Sequence, residues 1–477
     1  MCGLCLRYLS RSRYIGPIRQ SMKKRGVSVS KKALLVLVLS AYLILDAFYA
    51  VLVPPWETPD EPAHYRYVVQ LAARWRPPTD PGIRQRDSFC RDYTFTTSNY
   101  EWYHPALGYL PLAVVYKILS KVVPYSLPEN IPPFNPLFCS DPFTNPNLFH
   151  IETPRLLAIW RGQWGIIILR IFSCIGGLAV IYAAYQIGCW LNMRGFELVA
   201  AGWIAFLPQF TFISASIRND TMANAISAVF FLIAAKMQSS SPHRNLLAVI
   251  MGLVLGMGIL TKMTTAYLIP VALAAVVFSA WRSWRELTRL VFYLIVPCFV
   301  LNAWYYLYYP EARAALSYMN AQMNPNSLSF SWAYWKPFFP MLVELFFARF
   351  GWANVRIPGA WTQVALGIWI LGAMLSILYA IRLMIKKKSC EIQIPVITLV
   401  VLGIFLALVG VIRYNFAVFQ PQGRFLFPAI VGWALLGTWG LSKVLPEWAI
   451  VPVGLALAAF MLIFNLRSLI AVASVYY

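Results

Sequence analysis

The sequence predicts an all-α polytopic membrane protein with about eleven transmembrane helices, in a range of roughly 10–13. Three observations predict this class. The 477 residues are 60% hydrophobic and only 12% charged, whereas soluble domains carry about 25% charged residues. Several apolar stretches reach the roughly 20 residues that a helix needs to cross about 30 Å of hydrocarbon. The sequence also lacks the alternating segments of about ten residues that are typical of membrane β-barrels.

Basic residues gather where cytoplasmic segments are expected. The formal net charge is +22, and nine Lys or Arg residues lie within residues 1–32. Others, such as Arg194, Lys236 and Lys386, fall in short segments between predicted spans. This is the positive-inside bias of membrane proteins, so we expect a multi-pass protein of the cell membrane with a cytoplasmic N-terminus. The same distribution favours the lipid bilayer as a partner and argues against nucleic acid.

The predicted segments follow from the apolar stretches. Residues 1–32 are a basic cytoplasmic tail, 33–53 the first transmembrane helix, and 54–162 a large extracytoplasmic loop that contains an acidic motif and juxtamembrane helices. Transmembrane helices follow within 163–309 and within 362–477, and a second extracytoplasmic loop at 310–361 separates them. The individual spans are predicted at 33–53, 166–190, 196–214, 222–237, 246–260, 266–280, 290–309, 364–385, 392–411, 425–441 and 448–466.

Two regions leave the number of crossings open. Residues 246–280 are too long for one crossing, because 35 residues of helix measure about 52 Å. They are therefore predicted as two short spans that turn at Lys262. Residues 104–121 can cross the membrane or lie on its surface. This segment is short and contains two prolines and two lysines, which favours an interfacial helix. A crossing there would place residues 130–161 on the inner side.

A cluster of ionisable residues follows the first predicted span directly. In the stretch ETPDEPAHY, Glu57, Asp60, Glu61 and His64 lie within eight residues. One interpretation is local, because Thr58 and Glu61 have the spacing of a capping box and proline is common in the first turn of a helix. Capping accounts for one acid. It gives no reason for three acids and a histidine beside lipid.

Other predicted outer segments are also rich in charge. Ionisable residues at membrane depth are costly and mark functional sites, although any single arginine can lie at the surface with its charge in water. Together these groups predict a polar cavity that opens outward. Acids near its mouth can act as a base, and the cations can bind an anion such as phosphate. The charged and polar residues of these segments are Arg218, Asn219, Asp220, Lys262, Arg349, Arg356, Arg413 and Arg424.

Five motifs together resemble those of the GT-C-type integral-membrane glycosyltransferases and, within that superfamily, of a poorly characterised prokaryotic branch. They extend from Pro54 to Pro428, which is most of the chain. HPALGY departs from the usual pattern because Ala106 stands where a second proline is common. The five motifs are PPWETPDEPAHYRYV, HPALGY, PQFTFISASIRND, FGWANVRIP and QPQGRFLFP.

The resemblance implies an inverting transfer of sugar from a polyprenyl-phosphate donor to an acceptor on the outer face of the membrane. The acceptor, a hydroxyl or amine, can belong to a glycan, a lipid or a protein. Asp60 is the implied general base, and Glu61 beside it orients the acceptor or binds a metal. No cofactor is required; a divalent metal is possible, since His64 follows Asp60 by four residues. The residues predicted to contact substrate are Glu57, His64, Arg66, His104, Asn219, Asp220, Lys262, Arg349, Arg356 and Arg424.

Two other functions fit a membrane protein with many helices. A transporter or lipid flippase would use broken helices and internal repeats; the break at Lys262 agrees with this, but the sequence shows no repeat. A scaffold for assembly of the cell envelope would perform no chemistry. Separately, Cys90 and Cys139 both fall in the first predicted outer loop, where an oxidising compartment permits a disulfide between them.

Overall fold

The protein is described here by a computed structural model that covers residues 30–82, 98–132, 135–149, 162–239, 242–325, 327–386 and 392–477. These residues fold almost wholly into helices, and the sheet among them has two strands. The chain is therefore the all-α polytopic membrane protein that its composition predicts.

The α-helices of the described chain are α1 Lys31–Leu52, α2 Glu61–Arg74, α3 Leu110–Val122, α4 Pro136–Ser140, α5 Trp164–Trp190, α6 Phe196–Ala205, α7 Pro208–Ser214, α8 Asp220–Met237, α9 Arg244–Ile259, α10 Leu268–Ala280, α11 Trp284–Tyr308, α12 Pro310–Gln322, α13 Trp332–Trp335, α14 Phe338–Phe347, α15 Gly359–Ile385, α16 Gln393–Ala417, α17 Ile430–Val444 and α18 Glu447–Tyr476. Short 3₁₀ segments are Ala106–Tyr109, Pro124–Ser126, Met263–Tyr267, Ser327–Phe330 and Gly423–Ala429. Strands β1 Arg349–Phe350 and β2 Val355–Arg356 form an antiparallel hairpin.

Each of the eleven predicted spans coincides with helical structure in the described chain. Nine helical stretches among the described residues are long and apolar enough to cross a membrane. The tenth candidate is the pair α6 and α7, which meet at a bend of 57°. The remaining predicted span is the shorter apolar helix α9. Hydropathy locates these spans well because each one is a nearly continuous apolar stretch.

The bend between α6 and α7 has a local cause. Pro208 has no backbone N–H and restricts the residue before it to extended backbone. Leu207 accordingly has φ −70° and ψ 114°. A new helix then begins at Pro208, a first-turn position that suits proline. The bend directs the chain toward Arg218, which lies at one end of the bundle.

The ambiguous segment 104–121 forms the 3₁₀ turn Ala106–Tyr109 followed by α3. With 13 residues, α3 measures about 20 Å, which is too short to cross the hydrocarbon. It is absent from the candidate spans of the described chain and packs on α2 and α5. The structure thus agrees with an interfacial helix here.

Two helical stretches form the centre of the bundle. The apolar windows of Asp220–Met237 and Gly423–Val444 are 72% and 89% buried, whereas α11 and α15 at the rim are 17% and 28% buried. Lipid surrounds the rim helices, so apolar side chains on their outer faces need no protein partner. Both central stretches begin at the same end of the bundle. Their first residues therefore bring charged side chains together there.

Charged residues sort to the two ends of the bundle. We call the end that carries Asp60, Asp220, Lys262 and Arg424 the site end. At the opposite end Lys31 binds Glu197 at 2.5 Å and Arg244 binds Glu286 at 3.1 Å. There also the Arg194 guanidinium donates to the Leu445 carbonyl at 3.2 Å. The residues of the site end belong to segments predicted to be extracytoplasmic, and those of the opposite end belong to segments predicted to be cytoplasmic; the sidedness itself stays a prediction.

Candidate functional site

Asp60 lies at the start of α2, at the site end of the bundle. It has a left-handed backbone, with φ 65° and ψ 0°, a conformation that Asp tolerates better than most residues. Its Oδ2 accepts from Nη2 of Arg424, and its Oδ1 accepts from the Tyr100 hydroxyl at 2.9 Å. Asp60 is also the N-cap residue of α2. The predicted capping box is not formed, because the Glu61 carboxylate binds Arg170 and the Trp56 N–H instead.

The pKa of Asp60 reflects two opposing effects. Burial raises it by disfavouring the charged carboxylate, but the adjacent Arg424 guanidinium outweighs burial. The pKa of Asp60 therefore lies below its ordinary value, and the side chain is ionised at neutral pH. An ion-paired carboxylate with a depressed pKa is a weak base, so Arg424 controls how readily Asp60 can take up a proton.

Three cations converge beside Asp60. Lys262 Nζ lies 2.7 Å from Asp220 Oδ1, and Arg218 Nη1 lies 3.8 Å from Asp220 Oδ2. Arg218 Nη2 donates at 2.6 Å to the carbonyl of Pro59, the residue before Asp60. All these cationic side chains are almost fully buried. The cation cluster Arg218, Lys262 and Arg424 therefore lies around Asp220 and binds the carboxylate of Asp60 through Arg424.

Two of these cations retain free hydrogen-bonding capacity. In the described chain, Nε and Nη1 of both Arg218 and Arg424 are buried without a hydrogen-bond partner. A buried polar group without a partner costs free energy, and guanidinium groups suit phosphate oxygens in particular. The site is therefore able to accept an anion with several oxygen atoms.

A glycine positions Arg424. A Cβ atom on Gly423 would lie 2.2 Å from the backbone nitrogen of Phe346, so only glycine lets the Gly423–Ala429 segment lie against α14. A second glycine brings the other outer segments together. A Cβ on Gly108 would lie 2.9 Å from side-chain atoms of both Asn219 and Thr261. Asn219 itself donates to the Thr261 carbonyl at 3.3 Å, so it holds the cation cluster in place.

A second polar group borders Asp60 on its other side. Glu101 Oε2 lies 2.8 Å from His104 Nε2, and His64 Nδ1 lies 2.7 Å from the Tyr109 hydroxyl. The His64 and His104 rings stack with centroids 6.5 Å apart. Burial lowers the pKa of His64 well below its ordinary value, and the nearby Arg218 lowers it further. His64 is therefore neutral at neutral pH and can offer a nitrogen lone pair.

One group of residues can hold a metal ion. Ligand atoms of Asp60, His64 and Glu101 lie within 4.8 Å of one another. Two carboxylates and a neutral imidazole suit a divalent cation and leave coordination positions open for water or substrate. Arg424 already binds Asp60, so an ion at this place would compete with that guanidinium. The donor set fits a metal, and metal dependence stays a prediction.

Glu61 lies beside Asp60 in sequence but has a different environment. Arg170 of α5 binds it with Nη2 at 2.5 Å and Nε at 2.8 Å, and both side chains are fully buried. Glu61 also accepts from the backbone of Trp56 and Ile217, each at 3.1 Å. Burial raises the pKa of Glu61, and Arg170 more than offsets this, so the net pKa is lowered. In this structure Glu61 fixes α2 to the bundle.

Glu57 binds the backbone of a later segment of the same outer region. Its Oε2 and Oε1 accept from the backbone N–H groups of Leu148 and Phe149, both at 2.9 Å. The side chain is fully buried. Burial raises the pKa of Glu57 to about 8, although these two hydrogen bonds counteract the effect. Glu57 therefore stays protonated at neutral pH and attaches residues 147–149 to the start of the loop.

This raised pKa predicts a dependence of stability on pH. The unfolded chain releases the Glu57 proton near pH 4.5, whereas the folded chain retains it up to about pH 8. Unfolding therefore releases a proton in this window, and the stability due to Glu57 falls as pH rises. We expect the melting temperature of the wild type to fall relative to that of E57Q between about pH 5 and pH 9, by tryptophan fluorescence in detergent. Parallel curves for the two proteins would contradict this.

Three predicted substrate contacts lie elsewhere at the site end. Arg66 is on α2 and donates to the Glu129 carbonyl at 3.2 Å. Arg349 and Arg356 face each other in the β-hairpin. Arg349 binds Glu344 at 2.9 Å, and Arg356 lies over the Phe143 ring. The structure thus does not bring these arginines to Asp60, whereas His64, His104, Asn219, Asp220, Lys262 and Arg424 all lie in or against its surroundings.

The sequence patterns did not point to Tyr100, Glu101 or Arg170, and they placed Arg218 in the predicted polar cavity without naming it as a substrate contact. Arg170 carried a signal, since a charge inside an apolar span marks a functional or paired group. Arg218 stood directly before the predicted Asn219 and Asp220. Tyr100 and Glu101 lie in a loop without periodic pattern. Among the cysteines, Cys139 is disulfide-bonded, and Cys90 lies outside the described residues, so their pairing stays a prediction.

This chain is similar in fold to solved structures of known proteins. No protein-family model and no curated protein sequence matches the chain. The structure of ArnT from Cupriavidus metallidurans bound to undecaprenyl phosphate is similar, with 12% identity and a TM-score of 0.50, over 90% of this chain and 64% of ArnT. The apo oligosaccharyltransferase of Archaeoglobus fulgidus has 14% identity and a TM-score of 0.46, over 94% of this chain and 56% of its own.

The structure of the oligosaccharyltransferase AglB from Archaeoglobus fulgidus with an inhibitory peptide and a dolichol-phosphate has 12% identity and a TM-score of 0.46, over 92% of this chain and 55% of AglB. The chain thus spans less than two thirds of the length of the proteins that it matches. At these identities the likeness concerns the fold. The described chain shares its fold with ArnT, in line with the resemblance that its sequence motifs suggested.

Proposed function

We propose that this protein is a membrane glycosyltransferase that moves a sugar from a polyprenyl-phosphate donor to an acceptor on the outer face of the membrane. The observation that carries the proposal is the buried contact between Asp60 and the cation cluster Arg218, Lys262 and Arg424. A carboxylate beside several cations supplies a base and a phosphate site within one small volume. The fold it shares with ArnT, whose structure contains undecaprenyl phosphate, supports a lipid-linked donor.

The proposed reaction needs one base and one anion site. Asp60 takes the proton of the acceptor hydroxyl or amine as that atom forms its bond to the anomeric carbon. The bond between this carbon and the phosphate oxygen breaks, and its electron pair stays on the phosphate. The cation cluster stabilises the charge that develops on the leaving phosphate. Because attack and departure occur on opposite faces, the anomeric configuration is inverted.

The remaining polar residues have supporting roles in this proposal. Asn219 holds the segments that carry Asp220 and Lys262. His104 orients Glu101, and neutral His64 can accept a hydrogen bond from an acceptor. Glu61 acts as a positioning residue, because its bonds to Arg170 fix the start of α2 and so the direction of Asp60. A divalent metal at Asp60, His64 and Glu101, where bound, would supply further positive charge.

The direct test is turnover with defined donors. Purified protein in detergent or nanodiscs is incubated with a panel of polyprenyl-phosphate sugars and candidate acceptors. We expect release of the free lipid phosphate with at least one donor, accompanied by transfer of its sugar. Heat-inactivated protein measures spontaneous hydrolysis. Absence of turnover across the panel would contradict the proposed donor class.

A transporter or lipid flippase is the second candidate, and one observation favours it. The span formed by α6 and α7 is broken by a 57° bend, and broken spans are common in transporters. Movement of a fluorescent polyprenyl phosphate across liposomes that contain the protein, without sugar transfer, would support this function. The buried contact of Asp60 with a cation cluster gives stronger support to the transferase.

A further inference from the structure

If the proposed function holds, the guanidinium of Arg424 has two roles: it binds the base, and it helps to hold the donor phosphate. Its Nη2 binds Asp60, the proposed base. Its Nε and Nη1 are buried without a hydrogen-bond partner in the described chain, next to the cations that are proposed to hold phosphate. The group that neutralises the base is therefore also a ligand for the donor.

We infer that Asp60 and the donor phosphate compete for Arg424, so that arrival of the donor releases Asp60 to act as a base. This inference rests on the proposed function and concerns its order of events. Without donor, Asp60 is held as one half of an ion pair with Arg424. When phosphate oxygens bind the guanidinium, the carboxylate loses that partner and is free to contact the acceptor.

The surroundings of Asp60 suit such an exchange. Its other oxygen is held by the Tyr100 hydroxyl at 2.9 Å, which keeps the carboxylate in place after Arg424 has turned away. The Asp60 side chain is 17% exposed and that of Arg424 is 7% exposed, so the carboxylate lies nearer to the space from which an acceptor arrives. The unpartnered nitrogens of Arg424 give phosphate a first contact before the ion pair breaks.

The exchange makes donor binding and acceptor activation sequential. A base that is free only in the donor complex cannot deprotonate an acceptor in its absence. Linkage is reciprocal: if phosphate weakens the contact between Asp60 and Arg424, then the Asp60 charge must weaken phosphate binding. This reciprocity gives a test that needs no turnover.

The test is the affinity of purified full-length variants for farnesyl phosphate, a short polyprenyl phosphate, at one fixed pH and salt concentration. We expect D60N to bind it about tenfold more tightly than the wild type, in the usual range of coupling between sites. D141N is the matched control, because it removes a carboxylate charge from the same outer region at a side chain that accepts hydrogen bonds from Phe143 and Thr144 and is not part of the site. We expect D141N to change the affinity by less than about twofold.

A double-mutant cycle separates competition for Arg424 from simple charge repulsion. R424Q should weaken binding, and D60N should give no gain in the R424Q background. A tenfold gain that persists without Arg424, or equal affinities of D60N and the wild type, would overturn the inference while leaving the proposed donor class intact. If no variant binds the probe, both the donor class and the inference are lost.

If D60N does not fold, the competition for Arg424 can still be tested with the wild type alone. A cryo-electron microscopy structure with farnesyl phosphate should show Arg424 bound to the phosphate and parted from Asp60. An intact contact between Asp60 and Arg424 in that complex would overturn the inference.

Discussion

Replacing Asp60 with Asn is expected to lower the rate of sugar transfer by about 10²–10⁴-fold, the usual contribution of a general base. Asn has nearly the same shape as Asp but cannot take up the acceptor proton. Because the same change frees Arg424 for phosphate, the fall should appear in kcat, while KM for the donor stays the same or decreases. Steady-state kinetics with the active donor measures both.

The matched control is D141N, the same substitution at a partly exposed acid of the same outer region. The Asp141 carboxylate accepts hydrogen bonds from its neighbours Phe143 and Thr144, so its loss should leave kcat within about twofold. Thermal unfolding of both variants would show that they are folded. Retention of more than a third of wild-type kcat by D60N would remove Asp60 as the base.

The second large effect concerns the buried ion pair of Arg170 and Glu61. Substituting Leu for Arg170 leaves the Glu61 carboxylate buried without its counter-ion and removes hydrogen bonds to the carbonyls of Ala50, Val53 and Pro54. Breaking a buried pair in this way costs about 3–5 kcal/mol. We expect a loss of this size in the free energy of unfolding, measured by denaturant titration in mixed micelles.

Two further variants make this measurement specific. R467L removes an exposed arginine from another span-length helix, α18, and should change stability by less than about 0.5 kcal/mol. The double variant R170M/E61Q removes both charges of this buried pair, so we expect it to be more stable than the single variant R170L. If R170L were as stable as R467L, Glu61 would not depend on Arg170, and its role in positioning α2 would be lost.

The spans could be predicted from the sequence because hydropathy is a local property. A helix that faces lipid must be apolar over its whole length, and each such stretch can be found without knowing its neighbours. Hydropathy also pointed to several charged residues that the structure brings together. Asp60, Asp220, Lys262 and Arg424 come from four separate segments, and each was predicted because a charge beside lipid needs a reason.

The partners of these charges could not be predicted in the same way. Glu57, Asp60 and Glu61 are near neighbours in sequence, yet they bind a loop backbone, Arg424 and Arg170 respectively. The first lies in a turn and the others at the start of a helix, where successive side chains point about 100° apart. Which group each one meets depends on how the helices pack, and hydropathy contains no information on that arrangement.

The contact between Asp60 and Arg424 joins residues that are 364 positions apart in the chain. At about 5–20 residues per second, a ribosome needs roughly 20–70 s to synthesise the intervening segment. During this interval the nascent chain already carries its carboxylate but has no guanidinium to hold it. This contact therefore cannot form until most of the helices have been synthesised, so under the proposed function a partly synthesised protein would not consume lipid-linked sugar.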